Sequence, residues 1–193
     1  LTFNGEIYNF QRLRTEPGVR DYPFRGHSDT EVIVNGLDAW GIEETLRRIR
    51  GMFAFAVWDR SESLLHLARD RAGKKPVYYG WFGDAFAFGS ELKALKQHPL
   101  LDRRIDEHAV EEYFALGYIP EPRSIYRNTH KLRPGHTLQL RRGETLPTQR
   151  QYWDIPFAPG ADGPDLAQAE AGLVERLREA VDIRLISEVP LGA

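Results

Sequence analysis

The stretch that decides the fold runs Met52-Phe53-Ala54-Phe55-Ala56-Val57-Trp58, then Asp59-Arg60-Ser61-Glu62-Ser63, then Leu64-Leu65-His66-Leu67-Ala68. Its two apolar segments have strand length, and the polar segment between them is typical of a turn, so the pattern predicts an antiparallel hairpin. Because the first segment is apolar at nearly every position, we expect its strand to be buried on both faces. A strand covered on both faces belongs to the interior of a layered domain.

Two more hairpins follow from the same reasoning. Residues 76–82 and 85–88 flank Gly83-Asp84, a favoured turn pair, and residues 136–140 are expected to pair with 149–153. Helical patterns surround these strands. They cover residues 8–14, 29–40, 42–49, 92–95, 106–116 and 166–186, with Ser28 or Asp29 as an N-cap and Gly41 as a stop. Strict alternation of strand and helix is missing, which favours an α+β layered sandwich over a Rossmann fold.

Composition limits the classes of function. The chain has 193 residues, 41% of them hydrophobic and 28% charged, which suits a soluble globular protein with a substantial core. The 26 Lys and Arg and 28 Asp and Glu residues are interspersed, so neither a nucleic acid nor a membrane surface is an expected partner. No apolar run approaches the roughly 20 residues of a membrane span.

The cysteine and histidine content argues against two kinds of site. With no cysteine, the chain offers no disulfide and no thiolate zinc site, which is compatible with the cytoplasmic location that we expect. Its six histidines show no ligand spacing, so we expect no metal site.

The domain organisation is predicted from composition. Residues 1–156 form one domain, residues 157–163 are a linker rich in Gly and Pro, and residues 164–193 begin a second domain with an amphipathic helix. Leu1-Thr2-Phe3 is typical of a strand already under way, and residues 189–193 of a strand or turn that continues. We therefore expect the chain to begin and end inside domains.

Two short motifs carry candidate chemistry. In Asn4-Gly5-Glu6, at the end of a strand, a carboxamide and an unobstructed backbone N–H suit the binding of an oxyanion, although Asn-Gly also suits a plain turn. Asp29 offers a carboxylate for a substrate ammonium, or a simple helix cap. Arg69-Asp70 predicts a buried ion pair that anchors the hairpin, and Ser90 with Glu91 a helix cap.

Taken in order, these segments resemble the class II glutamine amidotransferase domain of glutamine-hydrolysing asparagine synthetases, from Leu1 to about Trp153. The matching segments are Asn4-Gly5-Glu6-Ile7-Tyr8-Asn9, Ser28-Asp29-Thr30-Glu31-Val32, Gly51-Met52-Phe53-Ala54-Phe55-Ala56, Arg69-Asp70-Arg71-Ala72-Gly73-Lys74-Lys75-Pro76, Ser90-Glu91-Leu92-Lys93-Ala94-Leu95, Lys131-Leu132-Arg133-Pro134-Gly135-His136 and Tyr152-Trp153. The resemblance implies a four-layer αββα N-terminal-nucleophile sandwich of two antiparallel sheets, here incomplete at its N-terminus.

The resemblance also implies a site and its partners. The Asn4 side chain and the Gly5 N–H would form the oxyanion hole, and Glu6 and Asp29 would hold L-glutamine, with Asp29 facing the α-ammonium. No cofactor is expected in these residues. Aspartate, ATP and Mg²⁺ are expected at a synthetase domain of the parent protein. The resemblance is also compatible with a homodimeric parent protein.

The family's nucleophile is an N-terminal cysteine, which this sequence lacks. Thr2 is a poor substitute because it adjoins the oxyanion motif, whereas nucleophile and oxyanion donors approach the reacting atom from different directions. We expect the nucleophile and the carboxylate-binding arginine upstream, and these residues alone to be inactive. The alternatives are an amidotransferase for another carboxylate or sugar acceptor, a β-lactam-synthetase-like protein without glutaminase activity, and a non-enzymatic docking domain.

Overall fold

A computed structural model describes residues 1–157 and 163–186. The middle of the predicted linker, residues 158–162, and the predicted terminal strand or turn at 189–193 lie outside the described residues. The strands are β1 (Thr2–Ile7), β2 (Gly51–Asp59), β3 (Leu64–Arg69), β4 (Tyr78–Phe82), β5 (Ala85–Gly89), β6 (Thr129–Lys131), β7 (His136–Arg141) and β8 (Thr148–Gln151). They form two antiparallel sheets, with strand orders β1-β2-β3-β7-β8 and β5-β4-β6.

The hairpin from which the prediction began is confirmed, with Ala54 opposite Arg69 and Asp59 opposite Leu64. Strand β2 is buried on both faces. Phe53 and Phe55 belong to one core cluster, while Ala54 and Ala56 belong to another. Successive side chains of a strand point to opposite faces, so an unbroken apolar run supplies two cores at once.

The other two predicted hairpins are also confirmed, as β4 with β5 and β7 with β8. Gly83 has φ 65° in the turn between β4 and β5, a conformation that glycine adopts without steric cost. Strand β6 was not predicted. It has three residues and is defined by its pairing with β4 rather than by its own pattern.

The helices are α1 (Phe10–Leu13), α2 (Asp29–Arg48), α3 (Leu92–Leu95), α4 (Glu107–Leu116) and α5 (Leu166–Asp182). Gly41, predicted as a stop, has φ 73° and breaks the helical geometry within α2. The Ser28 side chain accepts a hydrogen bond from the Glu31 N–H at 3.3 Å, so Ser28 is the N-cap.

The layers follow the αββα order. Val32, Ile33 and Leu46 of α2 pack against the outer face of the five-stranded sheet. The residues between the sheets include Leu67, Val77 and Leu138. On the far side, Leu95 of α3 packs with Phe82 and Leu101. The predicted α+β sandwich of two antiparallel sheets is confirmed.

Arg69 and Asp70 are buried at the end of β3, with 5% and 1% of their surface exposed, but they do not form the predicted pair with each other. Asp70 accepts hydrogen bonds from four backbone N–H groups, those of Phe53, Ala72, Lys74 and Lys75. Arg69 donates to the carbonyls of Gly73, Lys75 and Leu132 and forms an ion pair with Glu121 at 3.1 Å. Neighbours on a strand point to opposite sides, so each finds its own partners.

Helix α5, whose N-cap is Asp165, bears the predicted apolar stripe, including Leu173 and Leu177, and leaves it exposed. The helix contacts the sandwich through an Arg50–Glu179 ion pair at 2.7 Å. No helix within the described residues is long and apolar enough to cross a membrane.

Replacing Asp70 with Ala should destabilise the fold by about 3–5 kcal/mol, because four backbone N–H groups lose a buried, charged acceptor. Urea unfolding measures the change in the free energy of unfolding. Asp84→Ala, in the exposed β4–β5 turn, is the matched control and should change it by less than about 0.5 kcal/mol. Equal losses in the two variants would contradict the role assigned to Asp70.

Candidate functional site

Gly5 turns its backbone N–H toward the open edge of the five-stranded sheet. Strand β1 is an edge strand, and Gly5 lies opposite Phe53 of β2. Phe53 directs both its N–H and its C=O to Asp70 on the other side. In an antiparallel pair, facing residues either bond each other or both point away, so the Gly5 N–H points away from β2.

The two strands approach closely around Gly5. A Cβ at Gly5 would lie 2.2 Å from the Met52 carbonyl oxygen, and a Cβ at Gly51 would lie 2.1 Å from that of Glu6. Real side chains do not tolerate such contacts with backbone atoms. Glycine is therefore required at both positions, where it allows β1 and β2 to approach each other.

Asp29, the first residue of α2, is tied to the same edge. Its Oδ2 accepts a hydrogen bond from the Ile7 N–H at 2.9 Å, two residues beyond Gly5. Because Ser28 provides the helix cap, the carboxylate of Asp29 serves to join the start of α2 to the end of β1. This hydrogen bond sets the distance between the start of α2 and the end of β1.

A cavity of about 900 Å³ opens between these two elements. Its lining residues are Gly5, Glu6, Phe10, Gln11, Arg14, Thr15, His27, Ser28, Asp29 and Ile186. Three of the four predicted site residues therefore share one cavity. Asn4 instead lines a neighbouring cavity of about 110 Å³ between the sheets, with Thr2, Ala54, Ala56 and Ser90 among its other walls.

The loop that carries His27 to the cavity is held by Glu31. The Glu31 carboxylate accepts hydrogen bonds from the N–H groups of Arg25 at 2.7 Å and Gly26 at 3.0 Å. These bonds hold the pKa of Glu31 below its ordinary value, and the bond from Arg25 has the largest effect. The two hydrogen bonds tie the loop to the first turn of α2.

Sequence reasoning missed Arg14 as a residue of the cavity. Its guanidinium carbon lies 3.9 Å from the centre of the Phe24 ring, a cation–π contact that fixes the charge in the wall. The cavity thus combines two carboxylates, Glu6 and Asp29, with one stacked cation. The local sequence does not distinguish Arg14 from Arg12. The difference comes from Phe24, ten positions further along the chain, whose ring lies against Arg14.

Ser90 does not cap α3 as predicted. The N-cap position is Glu91, which makes no side-chain capping bond. The Ser90 hydroxyl instead accepts a hydrogen bond from Asn4 Nδ2 at 2.9 Å. A contact between residues 86 positions apart in sequence has no local signature.

No group of three or more potential metal ligands occurs within residues 1–157 and 163–186.

Comparison with known proteins gives the family context. The family model described as a glutamine amidotransferase domain matches residues 1–153. Asparagine synthetase [glutamine-hydrolyzing] 3 of Bacillus subtilis is 36% identical over 192 residues, which cover 99% of this chain and 30% of that protein. Asparagine synthetase [glutamine-hydrolyzing] 1 of the same organism is 34% identical, covering all of this chain and 30% of that protein. The chain thus spans about a third of the length of these relatives.

One solved structure is similar in fold. Glutamine phosphoribosylpyrophosphate amidotransferase from B. subtilis, complexed with ADP and GMP, aligns with a TM-score of 0.53 at 20% sequence identity. The alignment covers 79% of this chain and 28% of the amidotransferase. It supports the sandwich topology described above.

Gly5→Ala should destabilise the protein by about 1–3 kcal/mol, because the new methyl group overlaps the Met52 carbonyl and pushes β1 off β2. Urea unfolding detects this loss. Gly172→Ala is the control, since a Cβ at this position of α5 meets no atom within 4 Å. It should be neutral or stabilising, as alanine is the better helix former. A neutral Gly5→Ala variant would contradict the close approach of the strands.

Proposed function

Because this chain belongs to the glutamine amidotransferase domain family, we propose that it is the glutaminase part of an asparagine synthetase, which releases ammonia from L-glutamine. One observation carries the proposal. The Gly5 N–H, which has no backbone partner among the described residues, points to an open sheet edge beside a cavity with two carboxylates, and the carboxamide of the adjacent Asn4 lines the neighbouring cavity.

Glutamine binding would rest on Asp29 and Glu6. The free α-ammonium of an amino acid needs an anionic partner, and charge-assisted hydrogen bonds to a carboxylate supply it. Asp29 is suited to this role because it lines the cavity and the Ile7 N–H fixes the orientation of its carboxylate. Glu6, at the end of the same strand, contributes the second acceptor.

The oxyanion of a tetrahedral intermediate would be bound by Asn4 and Gly5. Attack on the amide carbon places negative charge on the former carbonyl oxygen, and donors already in position stabilise that charge without reorganisation. The Gly5 N–H is directed to the edge by its pairing with Phe53. Asn4 Nδ2 adds a side-chain N–H from the next residue along the strand.

The attacking group is not a cysteine of these 193 residues, since there is none. We propose that a nucleophile elsewhere in the full-length protein approaches beyond the edge of β1, where the Gly5 N–H points. Collapse of the intermediate would release ammonia and leave a glutamyl ester or thioester for hydrolysis. The residues described here would bind, orient and stabilise rather than attack.

The remaining predictions concern the full-length protein. The relatives are named as glutamine-hydrolysing asparagine synthetases. We propose that the ammonia is used at a synthetase site of the full-length protein that activates aspartate with ATP and Mg²⁺. The domain boundary at 157–163, a homodimer and a cytoplasmic location stay predictions as well.

Asn4→Ala in the full-length protein should lower glutamine-dependent turnover by about 10²-fold or more, because one oxyanion donor is lost. Activity with added ammonia should survive, since ammonia bypasses the amide hydrolysis. Asn35→Ala, in α2 and not among the residues that line either cavity, is the control. Equal loss with both nitrogen sources, or none with glutamine, would overturn the glutaminase assignment.

Asp29→Asn should raise the KM for glutamine by about 10- to 100-fold, the loss expected when a charge-assisted hydrogen bond to the substrate ammonium disappears. An asparagine oxygen can still accept the Ile7 N–H, so the thermal unfolding temperature should hardly change. Steady-state kinetics with glutamine and with ammonia separate the two effects. An unchanged KM for glutamine would remove Asp29 from the substrate site.

A further inference from the structure

The orientation of Asn4 depends on a single contact. Asn4 is exposed, and among the described residues its carboxamide has one side-chain partner, the Ser90 hydroxyl at 2.9 Å. An exposed asparagine side chain without a partner samples several rotamers. A donor that must already point at a developing charge loses its advantage if it has to be ordered during the reaction.

Ser90 sits on a rigid support. It follows β5, which pairs along its length with β4, and it precedes α3. Leu95 of α3 is 4% exposed and packs with Phe82 and Leu101, so the segment after Ser90 is anchored in the outer core. The hydroxyl therefore belongs to the three-stranded sheet, whereas Asn4 belongs to the five-stranded sheet.

The space around this contact is also defined. Asn4 and Ser90 line the same small cavity between the sheets, together with the short side chains of Ala54 and Ala56. Phe55, Leu67, Val77 and Phe88 are among its other walls. Within the described residues the Ser90 hydroxyl is the side-chain group that hydrogen-bonds the Asn4 carboxamide, so this bond sets the direction of its N–H groups.

We propose that Ser90 is a positioning residue for the glutaminase reaction, holding the Asn4 carboxamide so that its second N–H is presented to the oxyanion. The amide nitrogen of Asn4 carries two N–H groups. Ser90 accepts one of them and fixes the side-chain torsions, which leaves the other for the substrate. Ser90 itself does not touch the reacting atoms. This inference rests on the proposed function, because it needs Asn4 as an oxyanion donor.

The test is Ser90→Ala in the full-length protein. Glutamine-dependent kcat should fall by about 3- to 10-fold, the effect of one neutral hydrogen bond, while the KM for glutamine, the activity with ammonia and the thermal unfolding temperature stay unchanged. Ser90→Thr keeps the hydroxyl and should restore most of the rate. Ser61→Ala, in the exposed turn between β2 and β3, removes a hydroxyl that bonds Asp59 and should leave all four values unchanged.

A double variant separates positioning from a general structural effect. Asn4→Ala combined with Ser90→Ala should be no slower than Asn4→Ala alone, because Ser90 has nothing left to position. Losses that multiply, a rise in KM with unchanged kcat, or a wild-type rate in Ser90→Ala would overturn the proposal. If Asn4→Ala itself retains glutamine turnover, the proposed function fails. If Asn4→Ala is impaired and Ser90→Ala is not, only the role of Ser90 fails.

Discussion

The hydrogen bond from the Phe53 N–H to the buried carboxylate of Asp70 is the constraint on which the site depends. The N–H and C=O of Phe53 both bond Asp70, so neither group is available to β1 at that position. Gly5, opposite Phe53, must then point its N–H to the free edge. A buried carboxylate 65 positions away in sequence thus determines that a backbone donor is available at the cavity.

The same dipeptide joins the two sheets. Asp70 accepts hydrogen bonds from N–H groups of the loop after β3. Arg69 donates to carbonyls of that loop and to the carbonyl of Leu132, just after β6. N–H and C=O groups of the connecting loop are therefore both bonded by these two side chains, which fixes the path of the loop. Tyr152 adds its hydroxyl to the Arg69 carbonyl at 2.8 Å, which ties the chain after β8 to the same point.

Sequence reasoning reached the parts of the fold that have a local signature. The double burial of β2, the three hairpins and the break at Gly41 follow from periodicity and turn residues, which act over a few positions. Strand β6 was missed because three residues carry no period, and Ser90 was misread as a cap because its true partner comes from the other sheet. Arg69 and Asp70 were correctly predicted to be buried, yet their partners depend on the path of a loop that no pattern encodes. At the site, Gly5, Glu6 and Asp29 share a cavity as their chemistry suggested, whereas Arg14 entered it through tertiary packing.

The placement of Asn4 and Gly5 in different surroundings has a consequence for how the site works. Gly5 is set by backbone pairing within one sheet, which is stiff and independent of the second sheet. Asn4 depends on a hydroxyl from the other sheet, across a small cavity whose walls include two alanines. A change in the spacing of the sheets would therefore move the Asn4 carboxamide and leave the Gly5 N–H in place. Ala54 and Ala56 leave room for the contact between Asn4 and Ser90, so the packing between the sheets controls where the Asn4 carboxamide points.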